Sequence, residues 1–251
     1  MVKLTMIMFV MVSVPVFAGI DNGLVLHYEF EGNANDSSGH SFNGTEIGGL
    51  TYVQGVSGYA GSFDGVDDYI DISTSLGGYS AFSQFAWVKI NALQSSSSFI
   101  QTSNWYVDDT HGNDGGFDLA VAAGSYVKSW INQPDRTADS EIANSHVDLN
   151  QWYFVGVTWD GSTHRMYLNG TEVASSTYTG YMGTSDKNSL VAAKHYGDGL
   201  TGFLNGNIDE LRIYNRALNT QEIEQLYTIP EPATLLLLCL GAVVLRQNHK
   251  Y

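Results

Sequence analysis

Short runs of alternating apolar and polar residues, separated by turn-forming clusters, constrain the fold of this chain most. Leu26, Tyr28 and Phe30 stand at every second position, with the polar His27 and Glu29 between them. Because side chains on a strand point alternately to two faces, this spacing predicts a half-buried β-strand. Comparable runs lie at Tyr69 to Ile72, Phe82 to Ile90, Phe117 to Ala122, Trp152 to Trp159, His164 to Leu168 and Ile208 to Tyr214.

Clusters of glycine, asparagine, aspartate and serine separate these runs and predict the turns. Asp160-Gly161 and Asn169-Gly170 each place residues that tolerate positive φ between two strand-like segments. The two pairs therefore predict consecutive β-hairpins. The serine run from Ser95 to Ser98 indicates a surface loop.

A single helix is predicted near residue 220. Asn219 can cap its start, Glu222 completes a capping box, and Leu218 can pack onto Ile223 as a hydrophobic staple. Many short strands, one helix and glycine-rich turns predict an all-β fold. The expected architecture is a sandwich of two antiparallel sheets, with this short helix near the C-terminus of the domain.

The N-terminal residues have the three parts of a secretory signal peptide. Lys3 provides the basic start, residues 4–14 are almost wholly apolar, and Val16-Phe17-Ala18 supplies the small residues before a cleavage site. We expect signal peptidase to cleave after Ala18. The apolar run is shorter than the roughly 20 residues that span a bilayer, which argues against a permanent anchor.

The C-terminal residues 229–251 combine Pro230-Glu231-Pro232, a run without charges from Ala233 to Leu245, and the basic Arg246 and Lys250. The prolines separate this apolar segment from the domain at residues 20–228. The tail resembles the PEP-CTERM sorting signal. That resemblance implies transient retention in the inner membrane, processing by an exosortase, and release to the surface or extracellular matrix of a Gram-negative-type bacterium. An ordinary C-terminal anchor is the alternative.

The predicted domain is strongly acidic. Residues 20–228 contain 8 Lys or Arg against 25 Asp or Glu, a net charge of −17. Nucleic acid is excluded as a partner, because neutralising phosphates requires clustered cations. In an exported chain rich in Asp, Asn and Gly, the acidity favours calcium.

Four blocks of sequence in a fixed order resemble the laminin-G-like branch of the concanavalin-A-like lectin/glucanase superfamily. The resemblance covers nearly the whole domain and implies a jelly-roll sandwich that binds glycans or proteins. The blocks are Phe30 to Gly39, Phe63 to Ile70, Trp152 to Gly170 and Ile208 to Leu218.

Members of this family often hold a structural calcium ion, and the resemblance implies Asp36, Asn43 with Gly44, and Asp209 as its ligands. Calcium takes six to eight oxygen atoms from carboxylates, amides and backbone carbonyls, which suits these residues. The alternative is that Asp36 caps a turn and Asp209 pairs with Arg212 or a backbone amide.

Catalytic relatives in the superfamily cut β-glucans with a Glu-x-Asp-x-x-Glu strand. Around Asp209 the flanking glutamates of that pattern are missing. The chain also lacks the Gly-x-Ser-x-Gly and His-Glu-x-x-His patterns of serine hydrolases and zinc proteases. We therefore expect a non-catalytic module.

The resemblance, together with export, implies a polysaccharide or glycoconjugate as the partner, and flat aromatic rings near predicted loops could stack on its sugars. A structural matrix protein without a discrete ligand and a diverged glycoside hydrolase are the alternatives. Each ring alone is also compatible with core or loop packing. The candidate rings belong to Trp105, Tyr106, Trp130, Tyr178, Tyr181 and Tyr196.

Overall fold

The computed structural model describes residues 19–93, 96–101, 116–122, 124–132, 139–196 and 199–228. The predicted signal peptide with its cleavage residue Ala18, the Pro230-Glu231-Pro232 triplet, and Trp105 and Tyr106 lie outside these ranges.

The described residues form seventeen strands and one helix. In chain order they are β1 (Leu24–Tyr28), β2 (Thr45–Ile47), β3 (Thr51–Gln54), β4 (Tyr59–Asp64), β5 (Tyr69–Asp71), β6 (Phe82–Ala92), β7 (Ser96–Gln101), β8 (Gly116–Ala122), β9 (Tyr126–Asn132), β10 (Asp139–His146), β11 (Trp152–Trp159), β12 (Thr163–Leu168), β13 (Thr171–Thr177), β14 (Leu190–Val191), β15 (Lys194–Tyr196), β16 (Gly199–Thr201), β17 (Asn205–Tyr214) and α1 (Thr220–Tyr227).

Two antiparallel sheets build the domain, as the alternating runs predict. The eight-stranded sheet has the order β13-β12-β11-β6-β17-β4-β3, and β1 pairs with the second half of β17. The seven-stranded sheet has the order β10-β9-β8-β7-β14-β5-β2, while β15 and β16 form a separate hairpin. Each hairpin predicted at Asp160-Gly161 and Asn169-Gly170 is present, joining β11 to β12 and β12 to β13.

The main core lies between the sheets and contains every second residue of the long strands. On β6, for example, Ala86, Val88 and Ile90 belong to this core. Phe82 of the eight-stranded sheet stacks on Phe117 of the seven-stranded sheet, with ring centroids 4.6 Å apart. This inward alternation confirms the prediction of a two-sheet sandwich.

A second apolar cluster lies on the other face of the eight-stranded sheet, beneath α1. Phe85 and Phe154 stack there with centroids 5.4 Å apart, and Leu218, Ile223 and Leu226 pack against the cluster from the helix side. The eight-stranded sheet is therefore buried on both of its faces in this region.

The start of α1 is fixed as the capping pattern predicts. The Asn219 side chain accepts hydrogen bonds from the backbone amides of Gln221 and Glu222, and the Glu222 carboxylate accepts one from the Asn219 amide. Ser83 of β6 ties the preceding loop to the sheet, because its hydroxyl accepts a hydrogen bond from the Leu218 amide at 2.8 Å.

Strand β1 differs from the expectation of a half-buried strand, since all five of its residues are buried. His27, which faces away from the core, is covered by hydrogen bonds from its ring to Ser37 Oγ (2.9 Å) and to Glu210 Oε2 (3.0 Å). The prediction of a loop at Ser95 to Ser98 is also wrong, because β7 begins at Ser96. Its pairing with β8 uses backbone groups, which overrides the weak strand preference of serine.

A buried histidine connects the two sheets. His164 of β12 is fully buried, and its Nε2 and Nδ1 atoms each lie 3.1 Å from a serine hydroxyl, that of Ser129 on β9 and that of Ser140 on β10. Burial lowers the pKa of His164 to about 3. The ring is therefore neutral in the folded protein at neutral pH, and it joins three strands through hydrogen bonds.

This histidine predicts a pH dependence of stability. Below pH 6.5 the unfolded chain binds a proton at residue 164 that the folded chain does not, so stability is full above that pH and decreases towards pH 3. We expect a loss of about 1.4 kcal/mol per pH unit from this residue. Chemical denaturation of the full chain between pH 6.5 and 5 measures the slope.

His164→Gln should flatten that slope, because glutamine keeps a donor and an acceptor but does not titrate. His40→Gln is the matched control, since His40 is exposed and its removal leaves the sheet interface intact. An unchanged slope in His164→Gln would contradict the assignment.

Candidate functional site

Strand β9 presents a row of functional side chains on the face of the seven-stranded sheet that points away from the core. Val127 and Ile131 belong to the core, so the alternate residues Tyr126, Lys128 and Trp130 point outwards. The Tyr126 and Trp130 positions are about 13 Å apart along the strand. We call Tyr126, Lys128 and Trp130, together with Glu141 and His146 of β10, the β9–β10 face.

The Trp130 ring lies beside one cationic and one anionic side chain. The Lys128 ammonium lies 5.6 Å from the centroid of the Trp130 ring and 3.0 Å from the Glu141 carboxylate. The hydrogen bond from Lys128 holds the pKa of Glu141 below its ordinary value, with a further contribution from the Trp130 indole. Glu141 is thus a carboxylate, fixed beside the ring as a hydrogen-bond acceptor.

The same sheet positions place a second carboxyl group and a second ring nearby. Asp118 of β8 and Glu141 of β10 are the cross-strand neighbours of Trp130 on its two sides. At the other end of the row, the Tyr126 ring is 49% exposed and stands nearly perpendicular to the His146 ring, with centroids 5.8 Å apart. Two aromatic rings with polar groups between them can stack on a ligand and hydrogen-bond to it.

The other aromatic candidates have different positions. Tyr181 is 54% exposed in the loop after β13, whereas Tyr178 is buried in the core, where its ring lies 5.7 Å from that of Trp159. The side chain of Tyr196 lies outside the described part of the chain, as do Trp105 and Tyr106. Among the predicted rings whose side chains the structure describes, Trp130 is therefore the one that lies beside other candidate binding groups.

Sequence reasoning missed the other members of the β9–β10 face. From Tyr126 to Ile131 the side chains differ in character at alternate positions, and this period-two pattern could have identified β9. Glu141 gave no such signal, because β10 contains mainly polar residues.

The predicted calcium ligands Asp36 and Asn43 both take part in hydrogen bonds within their loop. The Asp36 carboxylate accepts hydrogen bonds from the amides of His27, Ser38 and Phe42 and from the Ser38 hydroxyl, and these bonds lower its pKa although burial raises it. The Asn43 side-chain oxygen accepts the Asp36 amide at 2.9 Å. An ionised carboxylate has about four acceptor positions, and four hydrogen bonds use those of Asp36. This geometry fits a residue that stabilises its own loop better than it fits a metal ligand.

Asp209 differs from Asp36 in the surroundings of its second carboxylate oxygen, which is buried. It is fully buried at the bulge of β17, and its Oδ2 atom accepts hydrogen bonds from the amides of Val56 (2.8 Å) and Ser57 (2.9 Å). Its Oδ1 atom has no hydrogen-bond partner among the described residues, and burial raises the pKa of Asp209 to about 7. Calcium needs six to eight oxygens, so the calcium site stays a prediction, and Asp209 is the ligand that fits it.

One further carboxylate cluster was not predicted. Within the described part of the chain, the carboxylates of Asp64, Asp67 and Asp68 have oxygen atoms within 4.8 Å of one another. The Asp64 carboxylate accepts the Val66 amide at 2.8 Å, and that of Asp68 accepts the Asp64 amide at 3.0 Å. These bonds are those of acidic residues that stabilise a turn.

The fold is similar to those of several solved binding domains. The binding domain of Paraclostridial Mosquitocidal Protein 1 superposes with a TM-score of 0.66 at 16% identity, covering 83% of this chain and 52% of that one. Domain 4 of AbnA, a GH43 extracellular arabinanase from Geobacillus stearothermophilus in complex with arabinotriose, gives 0.63 at 21% identity, covering 82% and 98%.

The binding domain of botulinum neurotoxin DC in complex with SialylT gives a TM-score of 0.59 at 17% identity, covering 83% of this chain and 52% of that one. The present chain thus spans about half the length of the toxin domains. Comparison with curated proteins gives no match.

Two family models match the sequence. Residues 228–247 match the PEP-CTERM protein-sorting motif, which confirms the predicted sorting signal and indicates export and sorting to the cell envelope or surface. Within the described ranges, no helix has both the length and the apolar character needed to cross a membrane. Residues 64–224, well over half of the chain, match the other model, and the protein belongs to the concanavalin A-like lectin/glucanases superfamily.

Proposed function

We propose that this protein is an exported, non-catalytic module that binds a neutral polysaccharide or glycoconjugate through the β9–β10 face. The observation that carries the proposal is the grouping of Trp130 with Lys128 and Glu141, beside the exposed Tyr126 on the same strand. A sugar ring has an apolar face and a rim of hydroxyl groups. An aromatic ring flanked by a cation and a carboxylate satisfies both.

The charge of the domain favours a neutral ligand. With a net charge of −17 over residues 20–228, the protein repels polyanionic chains at long range. Lys128 does not offset this repulsion of anions at the β9–β10 face, because its ammonium is already paired with Glu141 at 3.0 Å.

The ionised state of Glu141 favours a role in binding glycans over a role in hydrolysing them. Glycoside hydrolases generally need one carboxyl group that stays protonated to act as a general acid. Lys128 holds the pKa of Glu141 below its ordinary value, which is the opposite of what that role requires. Domain 4 of AbnA, which has a similar fold, was solved in complex with arabinotriose, a neutral sugar, and this supports the proposal.

The positions of the chain ends suit a module that binds while it is tethered. The sorting motif begins at Thr228, where α1 ends. Gly19, the first residue after the proposed signal peptidase site, has its carbonyl oxygen bound by Arg216, which also pairs with Glu222 of α1. Both ends therefore meet on the helix side of the domain, whereas the β9–β10 face is on the opposite side.

This placement lets the β9–β10 face meet a glycan during transient retention in the inner membrane, before processing by an exosortase. After release, the same face would hold the protein in the surface layer or matrix. A structural matrix protein without a ligand remains the alternative that a binding experiment separates from this proposal.

Loss of the central ring should abolish binding. In native affinity electrophoresis of the full chain in mild detergent, with gels containing arabinan or other neutral polysaccharides, we expect Trp130→Ala to weaken retardation by at least about tenfold in Kd. Tyr126→Ala should have a smaller effect in the same direction. Tyr59→Ala, which removes an exposed ring on β4, is the control and should bind as the wild type does.

If no polysaccharide retards the wild-type chain, the matrix-protein alternative is favoured. If one does and Trp130→Ala binds it equally well, the β9–β10 face is not the site.

We also propose that calcium, if bound, uses Asp209. A ligand of the folded state stabilises it by about 2.7 kcal/mol at 100 times its Kd, which corresponds to a rise of several degrees in Tm. Asp209→Asn keeps an acceptor for the amides of Val56 and Ser57 but removes the charge, so it should abolish the calcium response.

Differential scanning calorimetry with calcium, magnesium and chelator measures this, and Asp186→Asn, at an exposed position outside the carboxylate cluster, is the control for loss of one carboxylate. An identical Tm of the wild type in calcium and in chelator would eliminate the calcium site.

A further inference from the structure

A cleft of about 360 Å³ lies on the helix side of the eight-stranded sheet, next to the start of α1. Thr158 of β11, Arg165 and Tyr167 of β12, and Glu172 of β13 form its floor, and residues 217–220 form its wall. This side of the domain is opposite to the β9–β10 face. None of these residues has a role in the function proposed above.

The floor of the cleft carries a fixed donor. The Arg165 guanidinium donates a hydrogen bond to the Asp160 carboxylate at 2.6 Å. Hydrogen bonds from Ser162, Arg165 and Thr163 hold the pKa of Asp160 well below its usual range, although burial raises it. Arg165 is therefore anchored at one edge of the cleft by Asp160, and a guanidinium has further N–H groups besides the one that this bond uses.

Glu172 supplies an acceptor on the other side of the guanidinium. Its closest contact to Arg165 is 3.8 Å, longer than a hydrogen bond, and its side chain is 44% exposed. Its oxygens are thus accessible to a ligand in the cleft.

The rest of the cleft is apolar or rigid. Leu218 and the Tyr167 ring belong to the cluster beneath α1, where Tyr167 packs against Phe85 with centroids 5.9 Å apart. The Asn219 side chain is already used by the amides of Gln221 and Glu222. The cap oxygen of Asn219 is therefore not an acceptor for the ligand, and the charged groups of the cleft are on its floor.

These features select the chemical class of the ligand. Two carboxylates against one guanidinium disfavour an anion, and the volume is at the small end for ligand sites. A donor, an acceptor and an apolar patch within one small cleft match a single ring that bears hydroxyl groups. We propose that this cleft is a second binding site, specific for one neutral sugar unit such as the end of a glycan chain.

A second site on the opposite side of the domain gives the protein a further activity. Together with the β9–β10 face, on which this step rests, one molecule could hold two glycan chains and cross-link them. The two sites lie on the outward faces of different sheets, the seven-stranded and the eight-stranded one.

Saturation-transfer NMR on the full chain in mild detergent tests the cleft directly. The probes are glucose, galactose, mannose, arabinose and N-acetylglucosamine. We expect transfer to at least one of them in the wild type and in Trp130→Ala, and affinity at least tenfold weaker in Glu172→Gln. Glu224→Gln, the same change at an exposed position of α1, is the matched control and should behave as the wild type does.

Transfer to none of the sugars, or transfer that Glu172→Gln leaves unchanged, would overturn the second site. The proposed function is judged separately, by the effect of Trp130→Ala on polysaccharide retardation. Turbidity of a polysaccharide solution measures cross-linking. It should rise with the wild type and stay at baseline with either Trp130→Ala or Glu172→Gln, and an equal rise with all three proteins would contradict cross-linking.

Discussion

The packing of α1 onto the eight-stranded sheet determines which surfaces of this protein are available for function. Ile223 and Leu226 are buried against Phe85 and Phe154, so this sheet has an apolar cluster on each face. Burying one such side chain contributes about 1.5–3 kcal/mol, which makes the helix an integral layer of the fold. The aromatic rings of β9 lie on the outward face of the other sheet, which α1 does not cover, and the start of α1 forms one wall of the cleft beside it.

Charged and polar groups are buried where β17 changes partners. Its first half pairs with β4 and its second half with β1, and at the bulge between them Asp209 is fully buried while Glu210 is partly buried. Glu210 adopts a positive φ of 52°, which is uncommon for a residue other than glycine. Its carboxylate is held by His27 and Arg212, and Asp209 is held by the amides of the loop after β3, so each charge keeps a partner at this junction.

Elements with strong local signals were predictable, and those held together by distant pairing were not. Residues 152–159 form an apolar, aromatic-rich run that ends at Asp160-Gly161, so β11 was predicted with its observed bounds. Helix α1 was found from its capping box. Strand β10 contains mainly polar residues and exists because it pairs with β9, a contact that no local pattern reports. The burial of β1 was missed for the same reason, since Ser37 and Glu210 cover His27 from distant parts of the chain.

In the candidate sites, too, residues with a local sequence signal were predicted, and contacts made by distant pairing were not. Trp130 was predicted as one of several rings near loops, whereas it lies within β9, and its neighbour Glu141 is brought to it by strand pairing. Asp36 and Asn43 match a metal-binding pattern in sequence, and hydrogen bonds to neighbouring amides occupy their oxygens in the structure.

Hydrogen–deuterium exchange of the full chain, with and without a saturating neutral polysaccharide, tests the central claim most directly. The account predicts that bound glycan slows exchange in β9 and β10, on the side of the domain opposite to α1. Saturated binding with unchanged exchange in both of these strands would contradict it.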